Sequence, residues 1–290
     1  MKKIKIYSIV GVCAAAVLYM FDIAGNNNNN IVNEIGKEWV AESRDMRGTG
    51  NLTDTNEESA TSDESLLKQK SPDGLAEQIL VRTGYTVSYN KDTKLPNWVS
   101  WYLTPERTTG PAKRAGVDFE ADIDVPSPRA DDSDYYGSGY DRGHMCPAAD
   151  NKFSKKAMEE SFLFSNMCPQ NGNLNRGDWN EMEMACRNWA SKYGGVYVVC
   201  GPILYKGKHK TIGKNKVVVP EAFFKVVLRE GKEPKAIGFI YKNIEGNRPK
   251  GDYVNSVDDV ERITGIDFFS ALPDDIENKI EAVADINDWQ

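Results

Sequence analysis

A chain of 290 residues with 40% hydrophobic content can hold one large domain or two small ones, and its apolar share is that of a globular protein. The formal net charge of −7 excludes a protein that coats nucleic acid through uniform basicity. It leaves room for an enzyme that meets a polyanion through a few arginines and a metal ion.

Met1, Lys2, Lys3, Ile4 and Lys5 form a basic leader, followed by an uncharged apolar run over residues 6–21. This is the layout of a secretory signal peptide or signal anchor, expected over residues 1–24. The run is slightly short for a membrane span, so cleavage near Ile23, Ala24 and Gly25 and membrane anchoring through residues 6–21 both stay open. Val12 stands where a lipidated Cys13 would need a small residue. The expected location is therefore periplasmic, secreted, or membrane-anchored with the domain outside the cytoplasm. Export would put Cys146, Cys168, Cys186 and Cys200 in an oxidising compartment, where four cysteines allow three pairings. The absence of a C-x-x-C pair and the presence of only two histidines argue against a zinc site.

Residues 25–74 read as a solvated linker, with an asparagine run at 26–30 and a Gly, Asn, Thr, Ser and acid-rich stretch at 48–63. The folded domain is expected over residues 75–290. Strand patterns occur at 85–90, 97–103, 195–200, 223–228 and 236–241, bounded by glycine and proline. Helical patterns occur at 155–164, 179–193 and 274–284. Strands and helices mix without a regular βαβ repeat, which predicts an α+β domain with a largely antiparallel sheet. In the 179–193 helix, Trp179, Met182, Cys186, Trp189 and Tyr193 recur at steps of three and four and predict one buried stripe. Asp178 and Glu181 fit a capping box with Asp178 as N-cap. Glu183, one turn beyond Trp179 on the border of that stripe, is left to face a cleft.

Two segments carry chemistry. Asp141, Arg142, Gly143 and His144 are consecutive and offer the groups needed to bind an anion and move a proton beside it. An imidazole titrates near pH ~6.5, so His144 suits a neutral base. Downstream, Asn166, Gln170, Asn171, Asn173 and Asn175 crowd a short stretch. Their amide oxygens suit Mg²⁺ or Ca²⁺, or equally a loop whose asparagines stabilise turns.

Residues 140–150 (YDRGHMCPAAD) and 164–183 (FSNMCPQNGNLNRGDWNEME) together resemble the DNA/RNA non-specific endonuclease family, the ββα-metal (His-Me finger) nucleases that include endonuclease G. The likeness extends to residues 135–144 and 220–227 and covers most of residues 80–270. The resemblance implies an Mg²⁺-dependent endonuclease, with Mn²⁺ or another divalent ion able to substitute, acting on DNA and RNA with little sequence specificity. It implies His144 as general base, Asn175 as the direct metal ligand, and Glu183 as a ligand through water. Arg142 would lie by the phosphate and Asn166 in the substrate-binding loop, with Asp141 supporting the motif. Arg114 is the candidate for a transition-state arginine, with Arg107 as rival. Cys146 and Cys168, each two residues beyond a motif residue, are expected to line the site and to form a disulfide; nucleophilic cysteine chemistry is a rival use of Cys146. His209 is expected on a solvated basic turn. Two other functions stay open, a catalytically silent nucleic-acid-binding protein and a phosphodiesterase acting on small esters.

Overall fold

The computed structural model describes residues 64–290, so the leader, the apolar run at 6–21, Cys13 and most of the expected linker lie outside the described residues. No helix among the described residues is long and apolar enough to cross a membrane. In chain order the strands are β1 (Gln78–Val81), β2 (Thr86–Asn90), β3 (Leu95–Leu103), β4 (Asp141–His144), β5 (Met167–Gln170), β6 (Val196–Ile203), β7 (Thr211–Ile212), β8 (Val217–Val218), β9 (Ala222–Arg229), β10 (Lys235–Lys242) and β11 (Val254–Asn255). The helices are α1 (Asp132–Tyr135), α2 (Lys155–Glu160), α3 (Gly172–Arg176), α4 (Asp178–Tyr193), α5 (Val257–Thr264) and α6 (Asp274–Glu281). The main sheet is antiparallel throughout, in the order β1-β2-β3-β6-β9-β10-β11. The expected α+β class is what forms.

Strands β6 and β9 are rich in Val and Phe because both their faces are covered. Side chains alternate across a strand, so Phe223 and Lys225 face one side of the sheet and Phe224 and Val226 the other. Helix α4 covers the first side, where Trp179 packs on Phe223 (centroids 5.6 Å) and Tyr241 (5.7 Å). Helix α5 covers the second, so close that a Cβ on Gly238 would meet Val260 Cγ2 at 2.7 Å. The chain leaves the sheet after β3 and returns only at β6. The intervening segment carries the β4–β5 pair, α3 and α4.

Two expectations need correction here. The folded body starts before residue 75: Leu66 is buried, and Gln69 bonds the Leu66 carbonyl and the Phe269 amide, each at 2.9 Å. Backbone bonds in both directions between Lys70 and Asp267 extend this anchorage. The capping box does not form either. Gly177 occupies the N-cap position of α4 without a side-chain cap, and Asp178 turns away to accept bonds from Asn247 N (2.7 Å), Arg248 N (3.3 Å) and the Tyr253 hydroxyl. Glu181 is exposed and serves the first turn only through its charge. The buried stripe of α4 holds for Trp179, Met182, Cys186 and Trp189, with Tyr193 half-buried. Gly194, at φ 84°, ends the helix in the left-handed region.

Trp179 is fully buried, so Trp179→Ala is expected to cost about 3–5 kcal/mol of stability in urea unfolding. Trp179→Phe keeps most of the volume and is expected to cost clearly less.

Candidate active site

Strands β4 and β5 pair with Gly143 opposite Cys168 and His144 opposite Met167. Gly143 is required by close approach, since a Cβ there would meet Gln170 Oε1 at 2.3 Å. The pair delivers His144 to a wall of rings, edge-on to Phe162 at 4.9 Å and near Phe119 at 5.6 Å. Its carbonyl accepts a bond from Trp179 Nε1 at 3.3 Å, which ties the strand to α4. Burial first, and the nearby Arg114 charge second, lower the His144 pKa from 6.5 to about 3. The imidazole is therefore neutral across the physiological range. Its Nε2 is enclosed without a hydrogen-bond partner among the described residues.

Asn175 stands on α3, a helix capped by Asn171 through bonds from Asn173 N and Leu174 N. Asn175 Nδ2 donates to Asp141 Oδ2 at 3.0 Å, while Arg176 takes the other oxygen of Asp141 at 2.7 Å. With its NH₂ committed, Asn175 presents Oδ1 as the remaining acceptor. Asp141 thereby orients a candidate metal ligand rather than ligating itself. The asparagine-rich loop thus divides its work, with Asn171 stabilising a turn and Asn175 reaching the cleft.

Glu183 and Arg187 lie one turn apart on α4, 3.9 Å from each other. Arg187 is held more firmly by Asp150, at 2.9 Å, and Asp150 also accepts from Trp101 Nε1 at 3.2 Å. Burial chiefly raises the Glu183 pKa from 4.5 to about 7, with Asp150 adding to the rise and Lys225, Arg187 and Arg114 opposing it. Lys225 lies fully buried beneath the helix, its Nζ 4.2 Å over the Trp179 ring.

Around these groups opens a cleft of about 920 Å³. Lys113, Arg114, Arg142, Lys152, Arg176 and Arg187 line it against Asp141 and Glu183, a cationic groove on an acidic chain. Arg142 is forked onto Asp132 (2.6 and 2.7 Å) and lies over the Phe119 ring at 5.2 Å. Arg114 reaches the cleft over Phe162 at 5.5 Å. Its rival Arg107 is spent elsewhere, bonding the carbonyls of Gly84, Tyr102 and Asp150 and the Asn151 side chain.

Asn166 does not face the cleft. It is fully buried, its Oδ1 accepting from Cys146 N at 2.9 Å and its Nδ2 donating to the carbonyls of Cys146 and Ser161. It braces the loop behind His144, and both of its N–H donors are taken by backbone carbonyls. The expected Cys146–Cys168 disulfide is also absent: Cys146, Cys168, Cys186 and Cys200 are all free and buried. Cys146 Sγ is instead contacted by Asn151 Nδ2 at 3.3 Å, and burial pushes both the Cys146 and Cys168 thiols up, away from thiolate chemistry. Neither lines the cleft. His209 is paired, not simply solvated, with Nδ1 3.0 Å from Glu221. Arg187 and Asp150 were missed from sequence, although Arg187 follows Glu183 by four residues and so had to share its helix face.

A chain of the crystal structure described as the EndoG/EndoGI complex matches with a TM-score of 0.65 and 31% identity over 68% of this chain and 87% of that one. The architecture is therefore the ββα-metal nuclease fold. The model of the DNA/RNA non-specific endonuclease family matches residues 62–275, and the chain belongs to that family. Among its relatives are mitochondrial nuclease EXOG of Xenopus laevis, 37% identical over 66% of this chain, and human mitochondrial endonuclease G, 35% identical over 67% of this chain and 70% of its own length. The chain spans 58% of the length of the Xenopus protein.

The raised Glu183 pKa has a definite sign. A carboxyl held above its ordinary 4.5 contributes stability below that pH, and the contribution is lost as pH rises through about 7. Metal-free protein is therefore expected to lose stability between about pH 5 and pH 8, and Glu183→Gln to lose less over the same window. Equal losses in urea unfolding would remove Glu183 as the source.

Proposed function

We propose that this chain is a metal-dependent endonuclease that hydrolyses phosphodiester bonds in DNA and RNA with little sequence specificity. In this scheme His144 is the general base and Asn175 the direct ligand of Mg²⁺. The supporting observation is the convergence of a neutral imidazole, an uncommitted amide oxygen and a carboxylate on one arginine-lined cleft. Neutral His144 takes the proton of the attacking water. Arg114, whose charge depresses the imidazole, is offset when a phosphate enters, so His144 becomes more basic as substrate binds.

Arg142, Arg114 and Arg187 meet the charge that builds on the phosphate oxygens. Arg142 exchanges Asp132 for phosphate, keeping a forked geometry. Lys113, Lys152 and Arg176 extend the contact along the backbone, and contacts to phosphate and sugar carry no base information. The donor set fits a hard divalent cation: Asn175 Oδ1 would hold it directly and Glu183 through water, leaving the ion mostly hydrated as Mg²⁺ prefers. Mn²⁺ or another divalent ion with the same taste for oxygen would substitute. When bound, the ion would supply charge neutralisation and an acidic water near the departing oxygen.

The scheme includes export. The basic leader and the uncharged run at 6–21 support a periplasmic, secreted or membrane-anchored enzyme. The EXOG and endonuclease G relatives are mitochondrial by name, and this leader is the feature that supports a different destination.

Plasmid nicking tests the assignment. Cutting is expected with Mg²⁺, to vanish with EDTA, and to fall about 10²–10⁴-fold in His144→Ala. Cutting undiminished by EDTA would refute the metal role, and cleavage of small esters but not plasmid would refute the substrate class. Asp141→Ala is expected to raise the Mg²⁺ concentration for half-maximal cutting, because it frees the Asn175 amide to rotate. An unchanged Mg²⁺ requirement would show that Asp141 has no such role.

A further inference from the structure

Across the sheet from the cleft, α5 and α6 bring three carboxylates together. Asp258 and Glu261 share one face of α5, and Glu281 is the last residue of α6. One ligand oxygen from each lies within 4.8 Å of the other two. Glu281 is only 4% exposed, and its Oε1 is enclosed with no hydrogen-bond partner among the described residues. A buried carboxylate that nothing pairs is costly, and acidic neighbours compound the cost. We propose that Asp258, Glu261 and Glu281 form a Ca²⁺ site that pins α6 to α5.

The donor chemistry favours this ion. Only carboxylate oxygens are offered, which selects a hard cation over zinc or copper. Ca²⁺ takes carboxylate oxygens at about 2.3–2.6 Å in flexible geometry, whereas Mg²⁺ demands a near-ideal octahedron and keeps most of its waters. The three oxygens lie close enough to share one ion, and the flexible Ca²⁺ shell accommodates ligands from two separate helices. Glu261 keeps one oxygen for the Phe268 amide at 2.7 Å, which fixes its orientation and leaves the second for the ion. Asp258 is exposed, so water can complete the shell.

The charges facing the group are mostly acidic. Glu277 and Asp267 add negative charge, while Arg262 acts on Asp258 and Lys70 on Glu277 from the exposed rim. Burial and these neighbours raise all three carboxyls, Glu281 to about 9 and Glu261 to about 7. Such a group is relieved either by a cation or by a shared proton. Glu281 stands beyond residue 275, where the family match ends.

Thermal melting of the full, EDTA-stripped chain separates the possibilities. Saturating Ca²⁺ is expected to raise the Tm by roughly 5 °C. The shift is expected to persist in Asn175→Ala, which disables the cleft site, and to vanish in Glu281→Gln and Asp258→Asn. Asp258 is exposed, so Asp258→Asn decides the matter if Glu281→Gln fails to fold. A shift kept by Asp258→Asn, or lost in Asn175→Ala, would overturn the proposal. So would a Tm that ignores Ca²⁺ yet climbs as pH falls from about 8 to 6, the signature of a shared proton. None of these outcomes depends on nucleic-acid cleavage.

Discussion

The bond from the Trp179 indole to the His144 carbonyl joins the two halves of the cleft. An indole has one N–H to give, and this one is aimed by packing. Trp179 is fully buried against Phe223 and Tyr241, with Lys225 over its face. Helix α4 therefore cannot rotate without uncovering Trp179. Because the same residue holds the end of β4, the distance from His144 to Glu183, one turn further along α4, is set by the packing of the core. Rigid elements rather than loops carry the two groups.

Charge supplies the second constraint. The chain is acidic overall, yet its cleft is cationic, and each of three arginines there has a carboxylate partner: Arg142 with Asp132, Arg176 with Asp141, Arg187 with Asp150. These pairs keep the guanidinium groups ordered, which would lower the entropy lost on binding the proposed polyanionic substrate. Asp150 is fully buried and cannot follow its arginine outward, whereas Asp132 is exposed and free to release Arg142, as the proposed phosphate contact requires. Buried Lys225 balances the negative charge of Glu183 and Asp150 from beneath.

Long, regular patterns were legible in the sequence. The strand runs at 85–90, 97–103, 223–228 and 236–241 fall in β2, β3, β9 and β10, and the stripe at 179–193 is α4, because period and apolar content are local properties. Strands β4 and β5 carried no such signal, since Asp141, Arg142 and His144 belong to a polar wall that pairs only with its own neighbour. Helix α5 was also missed, although Ser256 caps it and Gly265 closes it, because its eight residues bury only Val257, Val260 and Ile263. The capping box failed for a different reason. Asp178 found three donors in the loop at 247–253, seventy or so residues away, and long-range partners outcompeted a local motif.

By itself the sequence determined which side chains can do chemistry here: one imidazole in a charged motif, an amide-rich loop, and a carboxylate at the edge of an apolar helix stripe. Those are matters of residue type and short spacing. Only the tertiary structure decided which of them meet. Asn166 and Asn175 are the same residue type nine positions apart, yet one is sealed behind His144 and the other, on α3, opens on the cleft. Cys146 and Cys168 each follow a motif residue by two positions, yet both thiols are free, buried and protonated. Burial and partner supply come from residues distant in the chain, and they settle whether a polar group braces the fold or faces the cleft.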